Sequence, residues 1–117
     1  MHKRYRLRKN RDFQRVYRRA KPQSSRLMTM LVSKARGNEL RIGFSVSKKV
    51  GKAVVRNRVR RRLREATRLL LPYLKKGYHV VIVARNTAVE AEYAQIAREV
   101  QNNFVRSGLM EKGAKKA

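Results

Sequence analysis

In 117 residues the chain carries 32 Lys and Arg against seven Asp and Glu, a formal charge of +25, yet 42% of its residues are hydrophobic; that content supports a packed core rather than a disordered polycation, and the length fits one domain spanning 1–117. No run of about 18 apolar residues is present, which excludes a membrane-spanning helix, and the basic N-terminus never reaches an apolar segment of the secretory type, so a cytoplasmic protein is expected. Cysteine is absent and His2 and His79 lie 77 positions apart, which removes disulfides, thiolate zinc sites and thiol nucleophiles and leaves no support for a histidine metal site or triad.

In chain order, Asn10 to Ala20 predicts a short helix, with Asn10 as N-cap and Phe13, Val16, Tyr17 and Ala20 at i, i+3, i+4, i+7. Pro22 closes it. Leu27 to Ser33 reads as a strand, Arg36-Gly37-Asn38 as a turn, and Leu40 to Ser47 as a second strand. In that second strand Leu40, Ile42, Phe44 and Val46 face one way and Arg41, Gly43, Ser45 and Ser47 the other. The two runs predict an antiparallel hairpin with one apolar and one wetter face. Ala53 to Tyr73 turns helical, with Val55, Val59, Leu63, Ala66 and Leu70 on one face. Tyr78 to Arg85 is a near-continuous β-branched run, the pattern of a central strand covered on both sides. Glu90 to Ser107 predicts a last helix with Tyr93, Ile96, Ala97, Val100 and Phe104 at core spacing, and 109–117 is expected to be a flexible tail. No internal repeat or low-complexity linker interrupts the chain.

The charge is concentrated. Residues 1–26 hold eleven Lys or Arg against Asp12, residues 48–68 hold ten against Glu65, and residues 86–106 are close to neutral. On the 53–73 helix, Arg58, Arg60, Arg61, Arg64 and Arg68 project opposite the apolar stripe, with Arg56 and Arg62 on its flanks. A charged outer face is the ordinary condition of a surface helix, but such faces mix signs and this one does not. The pairs Arg56/Arg60, Arg58/Arg62, Arg60/Arg64 and Arg64/Arg68 repel at i, i+4. The cluster also begins in the first turns, where the macrodipole disfavours cations by roughly 0.3–1 kcal/mol each. Arginine rather than lysine dominates, and its guanidinium fork suits phosphate oxygens and stacking on bases. Local rules broken without structural gain point to a binding surface for a phosphate polymer.

The N-terminal basic segment interleaves Tyr5, Phe13 and Tyr17 with arginines. Phe13 and Tyr17 are i, i+4 neighbours that either pack inward or form a platform for unpaired bases, each stack contributing about 1–3 kcal/mol. The polar strand face with Ser45 and Ser47 would floor such a groove, which suits single-stranded nucleic acid better than a duplex. Gly51-Lys52-Ala53 lacks the earlier glycine and the Ser/Thr of a phosphate-binding loop. Glu90 and Glu92 are two apart on a helix and cannot face one metal. No catalytic residue and no metal ligand is assigned, and the chain reads as a binder and organiser of RNA. Two other readings share the composition: a ribosomal or ribosome-assembly protein, and a nuclease acting alone.

Three blocks carry a family resemblance: RLRKNRDFQRVYRRA at Arg6 to Ala20, LRIGFSVSKKVGKAVVRNRVRRRLRE at Leu40 to Glu65, and HVVIVAR at His79 to Arg85. In order and spacing they resemble the protein component of bacterial ribonuclease P, including an RNR signature at Arg56-Asn57-Arg58. The resemblance implies an α+β sandwich of the ribosomal protein S5 domain 2-like kind. Its central, mostly antiparallel sheet is packed by three helices in the order α-β-β-β-α-β-α, with a left-handed crossover against the usual preference. It implies four strands where the residue pattern shows three, the fourth expected from a division of the 40–50 region. It further implies a non-catalytic subunit that binds ribonuclease P RNA and the 5′ leader of precursor tRNA, the RNA using Mg²⁺ to remove the leader, with no membrane and no obligate protein partner. Carried onto this chain, the contacts to the catalytic RNA are Lys49, Arg56, Asn57, Arg58, Arg60, Arg61 and Arg64, and the leader contacts are Phe13, Tyr17, Ser45 and Ser47. Some members of the family have an aromatic residue on the first strand where this chain reads Met30-Leu31-Val32, so no ring is implied there.

Overall fold

The run Tyr78–Ala84 has almost no polar alternation, so neither of its faces can be left to water, and the chain resolves this by placing it inside the sheet with helices on both sides. The computed structural model describes residues 1–113. Its elements are α1 (Asn10–Arg19), β1 (Lys21–Ser24), β2 (Met28–Lys34), β3 (Leu40–Ser45), α2 (Ala53–Arg68), β4 (Tyr78–Ala84) and α3 (Tyr93–Arg106). The strands lie in the order β1-β2-β4-β3. β1 with β2 and β2 with β4 pair antiparallel, whereas β3 with β4 pairs parallel through the α2 crossover. Val80, Val81 and Ile82 are fully buried, each such side chain contributing roughly 1.5–3 kcal/mol.

The alternation along β3 is realised: Leu40, Ile42 and Val46 enter the main core, with Phe44 packed against it. That core lies between one face of the sheet and α2 and α3, joining Met28, Met30, Val80 and Ile82 to Val59, Leu63, Ile96, Val100 and Phe104. The opposite face carries a smaller cluster of Leu7, Val16 and Val81, against which Phe13, Ala20, Leu31 and Val83 pack. α1 covers this second face.

Several expectations are corrected. β2 and β3 do not form a hairpin: β4 takes the slot between them, because a strand buried on both faces gains more from two neighbours than the flanking strands gain from each other. The fourth strand is β1, not a division of the 40–50 region. Its sequence, Lys-Pro-Gln-Ser, is short and polar and carries a proline, features confined to sheet edges, where β1 lies. The N-cap of α1 is Lys9, with no side-chain cap, and Asn10 is already helical. α2 ends at Arg68, and Leu71–Tyr73 with Pro72 forms a separate 3-10 turn. α3 starts at Tyr93 because Glu92 and Gln95 close a capping box. The tail begins later than Leu109, since Leu109 and Met110 are 1% and 2% exposed in the core and Lys75 N–H donates to Leu109 O at 2.8 Å. The remainder of the expected tail, beyond residue 113, lies outside the described residues.

Two side-chain arrangements hold the α1 face. The Phe13 ring rests on Gly43, where an added Cβ would overlap the ring, with Cε1 only 2.7 Å away. On the same face His79, 11% exposed at its side chain, donates from Nε2 to Glu39 Oε1 at 2.6 Å, and Arg41 Nε forms an ion pair with the same oxygen at 3.1 Å. The bond from His79 first, and then the Arg41 charge, hold the Glu39 carboxyl below the usual carboxylate range, partly opposed by burial.

Gly43→Ala is expected to lift Phe13 off the sheet and lower stability by about 1–3 kcal/mol, read by denaturant unfolding. Because the folded-state pKa of Glu39 is depressed, its contribution is complete above the unfolded value of about 4.3 and is lost as pH falls through the folded value. Glu39→Gln should therefore lower stability by about 0.5–1 kcal/mol at pH 7, a figure discounted for the exposure of Glu39. The deficit should shrink as pH falls below the unfolded value and vanish once Glu39 is protonated in the folded protein, as measured by thermal unfolding across pH.

Candidate nucleic-acid interface

The register of the strands divides the α1 face into three rows of side chains. Leu31, Val81 and Gly43 are directly paired neighbours and lie beneath α1. On one side of that row stand Thr29, Val83 and Ser45, extended to the sheet edge by Ser24, whose Oγ lies 3.2 Å from Thr29 Oγ1. On the other side stand Ser33, His79 and Arg41. α1 thus crosses the strands and leaves a channel on each flank.

Helical spacing sends different residues into the two channels. Phe13 and Tyr17 share the flank toward Thr29, Val83 and Ser45, with ring centroids 6.4 Å apart and planes tilted by 46°. Phe13 is half-buried against Gly43, whereas Tyr17 is 44% exposed. Both inward packing and an open platform are therefore present, one ring serving each. Tyr5 does neither: it packs against the main core, with the Arg4 guanidinium 5.0 Å from its ring centroid. Ser45 is half-buried at the end of β3, and Ser47 is exposed two residues on.

From Ser47 the chain passes through a 3-10 turn at Lys48–Val50, which exposes Lys49, and enters α2 at Ala53. Val59, Leu63, Ala66 and Thr67 form the buried stripe of this helix. Arg61 and Asn57 stand on its exposed face, while Arg56, Arg58, Arg60 and Arg64 are half-buried along the flanks rather than opposite the stripe. The Nε atoms of Arg56 and Arg58 are buried and have no hydrogen-bond partner. Arg60 Nη1 donates to Asn57 Oδ1 at 2.8 Å. Arg62 donates to Ala91 O at 3.1 Å and Arg68 pairs with Glu65 at 2.6 Å, so these two serve the fold.

Arg60 and Arg64 turn toward the N-terminal arm. With Arg6, Leu7, Arg8, Phe13, Gly43 and Phe44 they line a cleft of about 190 Å³. Burial first, and then the charges of Arg6 and Arg60, press the Arg64 guanidinium below its usual pKa. Arginine keeps its proton all the same, so the cleft stays strongly positive. Among the described residues three ion pairs exist, and their cations are Arg41, Arg68 and His79. The arginines of the cleft are unpaired.

The structure therefore brings Phe13 together with Arg60 and Arg64 in one cleft, with Tyr17 beside Phe13 on α1; Ser45 does not line that cleft. Lys49, Asn57 and Arg61 lie outside it, on the exposed surface that continues from it. Arg6 was not among the sequence-assigned site residues. It pairs with Ile42 as a parallel bridge beyond β3, and Leu7 N–H donates to Ile42 O at 3.1 Å. The alternation Arg6-Leu7-Arg8 was its signal, a short strand-like period beside a helix start. Among the described residues no group of three or more His, Asp or Glu converges as metal ligands.

The Ribonuclease P family model matches residues 1–108. The ribonuclease P protein component of Symbiobacterium thermophilum is 41% identical over 113 residues, covering 96% of this chain and 98% of that one. The corresponding component of Alkaliphilus oremlandii is 47% identical over 105 residues, covering 90% and 92%. Among solved structures, the RNase P protein of Staphylococcus aureus superposes with a TM-score of 0.84 at 28% identity, covering 92% of this chain and 98% of that one. The RNase P protein of Thermotoga maritima gives 0.79 at 27%, covering 86% and 96%. Matched by the family model over residues 1–108 and by relatives more than 40% identical along nearly its whole length, the chain belongs to the ribonuclease P protein family.

Proposed function

We propose that this protein is the non-catalytic subunit of ribonuclease P. In this reading it binds the catalytic RNA through α2 and the 5′ leader of precursor tRNA along the Phe13–Tyr17 flank of α1. It thereby promotes RNA-catalysed, Mg²⁺-dependent removal of the leader. The observation that carries the reading is the continuity of the two surfaces: β3 ends the polar row at Ser45 and leads through Ser47 and Lys49 straight into the arginine helix.

Each residue type has a task that follows from its chemistry. Tyr17 and the exposed edge of Phe13 offer faces on which unpaired bases stack without regard to sequence. Ser45, Thr29 and Ser24 offer hydroxyls to a strand lying along the row. Arg60 and Arg64 neutralise phosphates where the channel meets α2. Lys49, Arg56, Asn57, Arg58 and Arg61 hold the backbone of the catalytic RNA. In this reading the Mg²⁺ ion belongs to the RNA. The excess positive charge replaces condensed counterions when two RNAs are brought together, which lowers the Mg²⁺ needed for cleavage.

The combined variant Arg58→Ala/Arg61→Ala is expected to bind ribonuclease P RNA roughly 10- to 100-fold more weakly, with the slope of log K against log salt shallower by about 2. Filter binding across a salt series measures both. Tyr17→Ala should leave stability unchanged and reduce the preference of the holoenzyme for precursor over mature tRNA by roughly 5- to 100-fold, the equivalent of one lost stack. Equal binding of precursor and mature tRNA by the wild-type holoenzyme would sink the leader assignment. Failure of the protein to stimulate accurate 5′ maturation by that RNA at low Mg²⁺ would sink the whole reading.

A further inference from the structure

The channel on the other flank of α1 is the larger of the two, about 900 Å³, and the leader reading leaves it unused. Arg8, Lys9, Arg15 and Arg19 form one wall, and Lys34 and Arg36 form the other, with His79 and Arg41 at the floor. All six wall cations are exposed, and among the described residues none is in an ion pair. The acids facing them are Asp12 and Glu39. Glu39 is already engaged by Arg41 and His79 on a single oxygen, which leaves Asp12 as the local counter-charge.

Two further features favour an anion. Lys9 occupies the N-cap of α1 with no side-chain cap, so the positive dipole end of the helix opens beside this channel, with Asp12 the acid of its first turn. No Phe, Tyr or Trp lines the channel, and the ring of His79 at its floor is bound to Glu39, in contrast to the flank that carries Phe13 and Tyr17. A ligand here meets chiefly guanidinium and ammonium groups and no Phe, Tyr or Trp ring, which favours a phosphate backbone over splayed bases.

We propose that this channel is a second phosphate-backbone site, which holds a strand of RNA other than the 5′ leader while the leader lies on the opposite flank of α1. The identity of the RNA rests on the proposed function above; the anion site itself does not. The same backbone chemistry can come from the catalytic RNA or from the mature body of the tRNA, and separate binding arms distinguish them.

The test uses the full-length chain with Arg15→Ala/Arg36→Ala, one cation from each wall, and the charge-reversed Arg15→Glu/Arg36→Glu. Both side chains are exposed, and thermal unfolding is run alongside each variant. Binding is measured over a salt series to ribonuclease P RNA alone, and, in the reconstituted holoenzyme, to mature and to precursor tRNA. A roughly tenfold loss in one arm, larger on charge reversal, with a salt slope shallower by about 2 and an unchanged precursor-to-mature ratio, is the expected result. A loss in the first arm assigns the strand to the catalytic RNA, and equal losses for both tRNAs assign it to the tRNA body. Unchanged affinity and slope in every arm overturn the proposal. So does a selective loss for precursor, which would place the leader in this channel. If Tyr17→Ala leaves the precursor preference intact while these variants still lose affinity, the leader assignment fails and the second site stands.

Discussion

Burial of β4 on both faces is the constraint from which the arrangement follows. A strand reading Tyr-His-Val-Val-Ile-Val-Ala cannot sit at an edge or leave a face wet, so it draws β2 and β3 to its two sides and needs cover above and below. α2 and α3 supply one cover with a large core. The other is supplied by α1, a helix of ten residues whose fully buried side chain is Val16. A cover so narrow spans the middle of the face and no more. The paired rows on either side of it, Thr29–Val83–Ser45 and Ser33–His79–Arg41, become the floors of two channels. The two channels are thus what remains when a two-faced strand is sealed by a minimal helix.

The charge of +25 is compatible with this fold because the acids are used where they hold structure rather than where they would neutralise surface. Glu99 accepts from Ser25 Oγ at 2.7 Å and from Leu27 N–H at 2.9 Å, tying α3 to the start of β2. Glu92 caps α3, Glu39 fixes His79 and Arg41, and Glu65 holds Arg68. Four of seven acids are spent in this way. Among the described residues the arginines that line the cleft beside Phe13 are left without an acidic partner, and Arg64 lies half-buried beside the charges of Arg6 and Arg60. Stability and binding are drawn from the same charged residues but from different members of them.

What could be read from the chain alone was whatever a period or a composition encodes. The alternation of β3, the apolar stripe of α2, the two-sided burial of β4 and the arginine excess of α2 are all local signals, and each is realised. Pairing partners are not local. The hairpin expected between 27–33 and 40–47 is sound in its turn, since Gly37 adopts φ +61, but the turn spans the width of β4 rather than of a hairpin. β1 escaped notice because an edge strand needs neither apolar alternation nor β-branched residues. The role of Gly43 was equally hidden: alternation assigned it to the wetter face, and only the arrival of Phe13 from 30 positions earlier explains why a side chain is absent there. The helical projection of α2 placed its arginines by angle alone, and the long side chains then lean along the flanks toward β3 and the arm, where half-burial makes them specific.

The division of labour across α1 follows from its sequence at 100° per residue. Phe13 and Tyr17 fall on one flank, and Asp12, Arg15 and Arg19 on the other, while Val16 holds the line between them. A single short helix therefore presents rings to one channel and cations to the other. Rings select unpaired bases, whereas cations without rings select only backbone. In the proposed function a strand whose bases are free gains from the first flank and a base-paired one does not, so the helix would sort RNA by whether its bases are available. That distinction separates a single-stranded extension from the folded RNA to which it is attached, and it requires no reading of sequence.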